Sequence, residues 1–212
     1  MNIKGPGINN PILKIISIAL EMWAKSKCQQ IEDINIRING SISEIMRGEL
    51  ASVKLIATKI NFQDIYIQEI KLSSGKITIK SDNLLKRKII TSSNSFKLEG
   101  KLSFSETNIN QIINSERWEW TNKWLSENLL NQSNDYSIFL EDKGLLIKSV
   151  NPKSKDVKED NLNISISNNS LLFENKEKDL YQLLPMDPNI KFNSINLSRS
   201  KIEVYFNSLV NF

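Results

Sequence analysis

The sequence predicts an α+β fold: a long antiparallel β-sheet packed on an apolar N-terminal helix and a central helical pair. Three observations lead there. Between Ala51 and Lys80 apolar residues recur at second positions, as Val53, Leu55 and Ala57, then Ile65 and Ile67, Ile70 and Leu72, Ile77 and Ile79. Successive strand side chains point to opposite faces, so this spacing makes one apolar and one wet face, the mark of antiparallel pairing. The segment Ile12 to Trp23 is apolar around most of a helix circumference. Finally, Trp118, Trp120, Trp124, Leu125 and Leu129 sit at helical spacing near the middle of the chain.

The elements follow in order. Residues 1–9 form a flexible tail, and 10–212 one domain. Asn10-Pro11 is a helix start, with Asn as N-cap and Pro at the first helical position. In the helix, Ile12, Leu13, Ile15, Ile16, Ile18, Ala19, Leu20, Met22 and Trp23 leave a narrow polar stripe of Lys14, Ser17, Glu21 and Lys25. Such a helix is enclosed on several sides or lies against a membrane. A strand follows with Ile34, Ile36 and Ile38 inward, ended by Asn39-Gly40. Ser41 to Arg47 is a short helix closed by Gly48.

After the long strand run, Asp82 to Ser95 is irregular and carries Lys86, Arg87 and Lys88. Phe96, Leu98, Leu102 and Phe104 resume strand alternation, with a bulge expected at Gly100. Thr107 is the expected cap of a helix bearing Ile109, Ile112 and Ile113, and a second helix spans Glu116 to about Leu130. Asp142-Lys143-Gly144 turns a hairpin that pairs Ile138 and Leu140 with Leu145 and Ile147. Residues 151–160 read as a charged loop. Leu162, Ile164 and Ile166 then turn at Asn168-Asn169 into Leu171 and Phe173. Two last strands follow Leu184-Pro185-Met186-Asp187-Pro188, with Asp187 expected in an Asx turn.

Composition narrows the functions. The 212 residues are 40% hydrophobic and 25% charged, an ordinary globular balance, so disorder throughout is excluded. A net charge of +4 favours anionic surfaces but is too small to indicate nucleic acid. With one cysteine, Cys28, there is no intramolecular disulfide framework. With no histidine, Ser-His and Cys-His catalysis and imidazole metal sites are excluded. The acidic residues match no calcium-loop spacing, and no cofactor is expected. Ile12 to Trp23, with Lys14 and Glu21 inside it, is too short to span a bilayer, and Trp23-Ala24-Lys25-Ser26 is a poor signal-cleavage site. The expected location is the cytoplasm or the periphery of a membrane.

Three groups of residues point towards lipid. Ile12, Ile15, Ile16, Leu20 and Trp23 would line an acyl-chain site, the alternative being a core helix under a sheet. Trp118, Trp120 and Trp124 combine a large apolar body with one donor, which suits an interface as well as helix-to-sheet packing. Lys86, Arg87 and Lys88, flanked by apolar residues, would attract an anionic headgroup or form a solvated strand edge.

The order of these features resembles that of the LmeA-like phospholipid-binding proteins, in particular their short cyanobacterial forms. The carrying stretches are Ile34-Asn35-Ile36-Arg37-Ile38-Asn39-Gly40, Ile45-Met46-Arg47-Gly48-Glu49-Leu50 and Phe96-Lys97-Leu98-Glu99-Gly100. The Asn108 to Ile113 helix, the Trp118 and Trp120 pair and Leu184-Pro185-Met186-Asp187-Pro188 complete them. The resemblance implies a long curved antiparallel sheet related to tubular lipid-binding modules, and phospholipid held in an apolar groove. It supplies no catalytic motif. The expectation is a non-catalytic lipid-binding protein serving lipid transfer or membrane maintenance. Its rivals are a membrane-associated assembly factor with a filled core, and an enzyme acting on lipid-linked glycans.

Overall fold

The chain builds two large antiparallel sheets and lays its helices against them. The computed structural model describes residues 11–78, 95–130, 136–150 and 157–211, without the side chains of residues 11, 12, 42 and 150. In chain order the elements are α1 (Pro11–Lys27), β1 (Asp33–Asn39), α2 (Ile42–Met46), β2 (Glu49–Leu50), β3 (Ser52–Phe62), β4 (Ile65–Ser74), β5 (Ile77–Thr78) and β6 (Phe96–Phe104). Then come α3 (Glu106–Ile113), a 3₁₀ turn (Glu116–Trp118), α4 (Glu119–Leu125) and a π turn (Ser126–Leu130) that continues it. The last part holds β7 (Tyr136–Leu140), β8 (Gly144–Val150), β9 (Val157–Ser167), β10 (Ser170–Asn175), β11 (Leu180–Leu183), β12 (Ile190–Ser198) and β13 (Lys201–Val210).

The α+β antiparallel architecture is observed, divided between two main sheets. The first has the order β1-β3-β4-β6-β13-β12, the second β11-β10-β9-β8-β7, and β2 pairs with β5. The closing hairpin β12–β13 therefore returns to the first sheet, where β13 lies along β6 from Ile202↔Phe104 to Val210↔Phe96. Tight turns fix the registers. Gln63 and Asp64 both have positive φ, as do Asn168 and Asn169, the geometry that matches strand twist in two-residue hairpins. Ile138 pairs with Ile147 and Leu140 with Leu145, as the Asp142-Lys143-Gly144 turn predicts.

Alternation sorts the first sheet into two faces. Inward lie Ile36, Ile38, Leu55, Ala57, Ile70, Leu102, Val204 and Ile202. Outward runs a ladder of ions: Lys101 Nζ lies 3.4 Å from Glu69 and 2.9 Å from Glu203, and Lys201 Nζ 2.6 Å from Glu203. The donated hydrogen bonds from Lys201 and Lys101 hold the Glu203 carboxyl down to about 2.

Three local expectations are corrected. Gly100 pairs in regular register with both Leu72 and Phe206, so it is not a bulge. Instead the Phe206 ring lies over it, and a Cβ there would overlap that ring. The irregularity falls between Phe192 and Ser194 of β12. The cap of α3 is Ser105 rather than Thr107, in a capping box closed by Asn108. Residues 157–160, expected in a charged loop, begin β9, where Asp160 is buried.

Candidate functional site

The largest apolar cluster lies where the two sheets meet. Sheet contact runs between β9, β10 and β12, and Phe192 N–H donates to the Asn169 carbonyl at 2.8 Å. Helix α3 packs on β4 and β7, and α4 packs beside α3. Two side-chain bonds seat α3 on the second sheet: Asn110 Nδ2 donates to the Ile138 carbonyl at 2.7 Å, and Leu140 N–H donates to Glu106 Oε2 at 2.9 Å. In return Ile138 N–H donates to Asn110 Oδ1 at 2.9 Å.

These elements enclose a partly open cavity of about 200 Å³. Helix α3 supplies Ile109, Ile112 and Ile113, and α4 supplies Thr121, Trp124 and Leu125. The second sheet supplies Ile138, Leu145, Ile164, Leu171 and Phe173; the first sheet supplies Phe104, Ile195, Ile202 and Val204, and Leu184 completes the lining. The exposed lining is entirely apolar. Thr121 does not change that, because its hydroxyl donates to the Trp118 carbonyl at 2.6 Å. The Trp124 ring meets Phe173 edge-on, with centroids 5.7 Å apart, and ties α4 to the sheet opposite.

A buried polar network holds the far end of α4. The π turn leaves its last carbonyls without helical partners, and side chains from the second sheet satisfy them. Asn175 Nδ2 donates to the Leu129 carbonyl at 3.2 Å, and Lys178 Nζ to the Leu130 carbonyl at 2.8 Å. Lys178 also lies 2.7 Å from Asp160 Oδ1, which accepts from Asn175 Nδ2 at 3.3 Å. Asp160 and Asn175 are buried, so each polar atom needs this pairing. The Tyr136 hydroxyl donates to the Asn122 carbonyl at 3.2 Å, and burial pushes its pKa up, so the phenol holds its proton more tightly.

The residues named from sequence fall into separate places. Trp124 lines the cavity. Trp118 and Trp120 lie outside it, stacked obliquely with ring centroids 6.0 Å apart. Trp118 Nε1 donates to the Gln63 carbonyl at 2.8 Å, so it clamps the helical pair to the β3–β4 turn, while Trp120 is exposed. Ile16 is buried against β1 in a cluster with Leu13, Ile36 and Ile38, and Leu20 packs beside it. Ile15 and Trp23 point to solvent. The side chain of Ile12, and Lys86, Arg87 and Lys88, lie outside the described residues. The space between α1 and the sheet is thus filled by a small core, and the cavity sits elsewhere. Sequence reading placed most of the lining in the core without joining it into a site. The lining comes from nine separate elements and the stretch after β11, and no local spacing signals that convergence.

Helices laid on antiparallel sheets around a wholly apolar, partly open cavity define the class of this α+β protein. The LmeA-like phospholipid-binding family model matches residues 10–202, and the chain belongs to that family. Membership supports a lipid partner. None of the curated proteins and none of the solved structures matches the chain.

Proposed function

We propose that this protein binds phospholipid without catalysis, holding an acyl chain in the cavity between α3, α4 and the two sheets. The observation that carries the reading is the lining, which is apolar throughout. It offers a hydrocarbon chain a dry solvent and offers a reacting ester no acid, base or nucleophile. At about 30 Å³ for a water-sized group, 200 Å³ takes on the order of six methylenes of one chain. At ~0.8 kcal/mol per methylene the gain is about 5 kcal/mol, with glycerol and headgroup left outside. A partly open cavity lets the chain exchange, which suits lipid transfer or upkeep of a membrane's lipid. The protein would do this from the membrane's surface: among the described residues no helix is long and apolar enough to cross a bilayer.

Native mass spectrometry of the purified protein, together with displacement of a fluorescent single-chain fatty-acid analogue, tests the reading. Phospholipid should co-purify, and the analogue should bind. Ile164→Phe with Leu171→Phe, which narrows the cavity, should weaken analogue binding at least tenfold at a cost of no more than about 1–3 kcal/mol in stability. A wild-type protein that carries no lipid and takes up no analogue sinks the proposal.

A further inference from the structure

Helix α1 carries two apolar faces, and among the described residues only one has a partner. At 100° per residue, Leu13, Ser17, Leu20 and Ala24 lie on one side, with Ile16 at its edge. That side meets β1: Leu13 and Ile16 are buried there, and Ser17 Oγ donates to the Ile36 carbonyl at 2.6 Å. On the opposite side lie Ile15, Ile18, Ala19, Met22 and, at the edge, Trp23. Ile15 is 66% exposed and Met22 68%, with Ile18 and Trp23 near half. Elsewhere among the described residues most exposed apolar side chains stand singly, apart from Tyr181, Leu183 and Met186 on and after β11. Here four large ones fall in nine residues of a single helix, a contiguous stripe that water solvates poorly.

From this geometry we propose that the outer face of α1 docks in the plane of an anionic membrane surface. The rim of the stripe supports a bilayer as the occupant. Lys14 and Lys25 run along one flank with the single acid Glu21 beside them, which leaves that flank net positive. Lysines at that height reach lipid phosphates while their stems cover the apolar edge. Trp23 has the amphipathic ring that settles at headgroup depth. The 17-residue helix is held to the sheet along its other side, so it can lie in the interface and cannot leave the protein to span it. A second copy fits less well, because an antiparallel pair of these helices sets the lysine flank against itself.

This surface rests on the lipid-binding reading only in its partner, since no described side chain of α1 lines the cavity. The two are separable by experiment. Wild-type protein is floated with vesicles of phosphatidylcholine containing 30% phosphatidylglycerol (roughly the anionic content needed to attract a few lysines) and with phosphatidylcholine alone. Binding should favour the anionic vesicles at least fivefold. Ile18→Gln with Met22→Gln should lower it at least tenfold while leaving uptake of the fatty-acid analogue unchanged. Lys14→Glu with Lys25→Glu should erase the preference for anionic vesicles. The proposal is overturned if wild type ignores both vesicles, if the glutamine variant floats as wild type does, or if light scattering shows a wild-type dimer that the glutamine variant converts to monomer. Loss of analogue uptake with vesicle binding intact would instead strike the cavity reading alone.

Discussion

Helix α1, rich in Ile and Leu with one Met and one Trp, and helix α4 with its π turn, rich in Trp and Leu, are buried to different depths. Helix α1 touches the sheet through Leu13, Ile16 and Leu20 and turns Ile15, Ile18, Met22 and Trp23 to solvent. Helix α4 and its π turn sit among α3 and both sheets, so Leu125 is 5% exposed and Leu129 not at all. The difference lies in how many layers surround each helix. One strand wall can cover one face; burial on several sides needs a second sheet. Apolar content thus says that a helix wants covering, and the topology decides whether the chain itself provides the cover.

The comparison breaks first at its extremes. Leu129→Ala should cost about 2–5 kcal/mol, because the atoms removed leave a hole in a packed layer. Met22→Ala should stay within about 0.5 kcal/mol. Urea unfolding of both variants checks this, and similar midpoints would mean that the two helices are equally covered. Next, Lys178→Met removes the cation that caps Leu130 and pairs with buried Asp160. Stability should fall by about 2–3 kcal/mol, towards the low end for a broken buried pair because Lys178 keeps some contact with water. A change below about 0.5 kcal/mol would show that the polar network does not hold α4 in place.

The smallest effect belongs to the wet face that both ends share. Lys201 and Lys101 hold Glu203 down to about 2 in the folded protein, whereas an unfolded glutamate titrates near 4.3. Its contribution is therefore present above about pH 4.3 and is lost as the pH falls towards 2. Screening by water keeps it below about 1 kcal/mol. Glu203→Gln should flatten the acid side of the stability curve in that window and leave the rest alone. An unchanged acid limb would show that the ladder of ions is ornamental.

Strands were legible wherever one face is buried, because alternation is then forced: Ile34, Ile36 and Ile38 in β1, and Ile138, Leu140, Leu145 and Ile147 in the β7–β8 hairpin, fall where the pattern puts them. The Asx turn at Asp187 was legible too, with Asn189 N–H donating to its Oδ1 at 2.8 Å. Less legible were features settled by distant partners. Asp160 looked like loop until Lys178 and Asn175 neutralised it inside β9. Gly100 looked like a bulge because nothing nearby in sequence announces the Phe206 ring. The cavity was illegible for the same reason: Ile109, Leu171 and Val204 each read as ordinary core, and only the meeting of two sheets makes them neighbours.

The return of the last hairpin to the first sheet sets an order of events. Ile195, Ile202 and Val204 form one wall of the cavity, and β12 and β13 bring them there from far along the chain. Strand β13 must find β6 across about a hundred intervening residues, a long-range search that slows folding. Until that pairing forms, the oily surfaces of α3 and the second sheet lack one wall, and the hollow between them is completed only by strands distant in sequence.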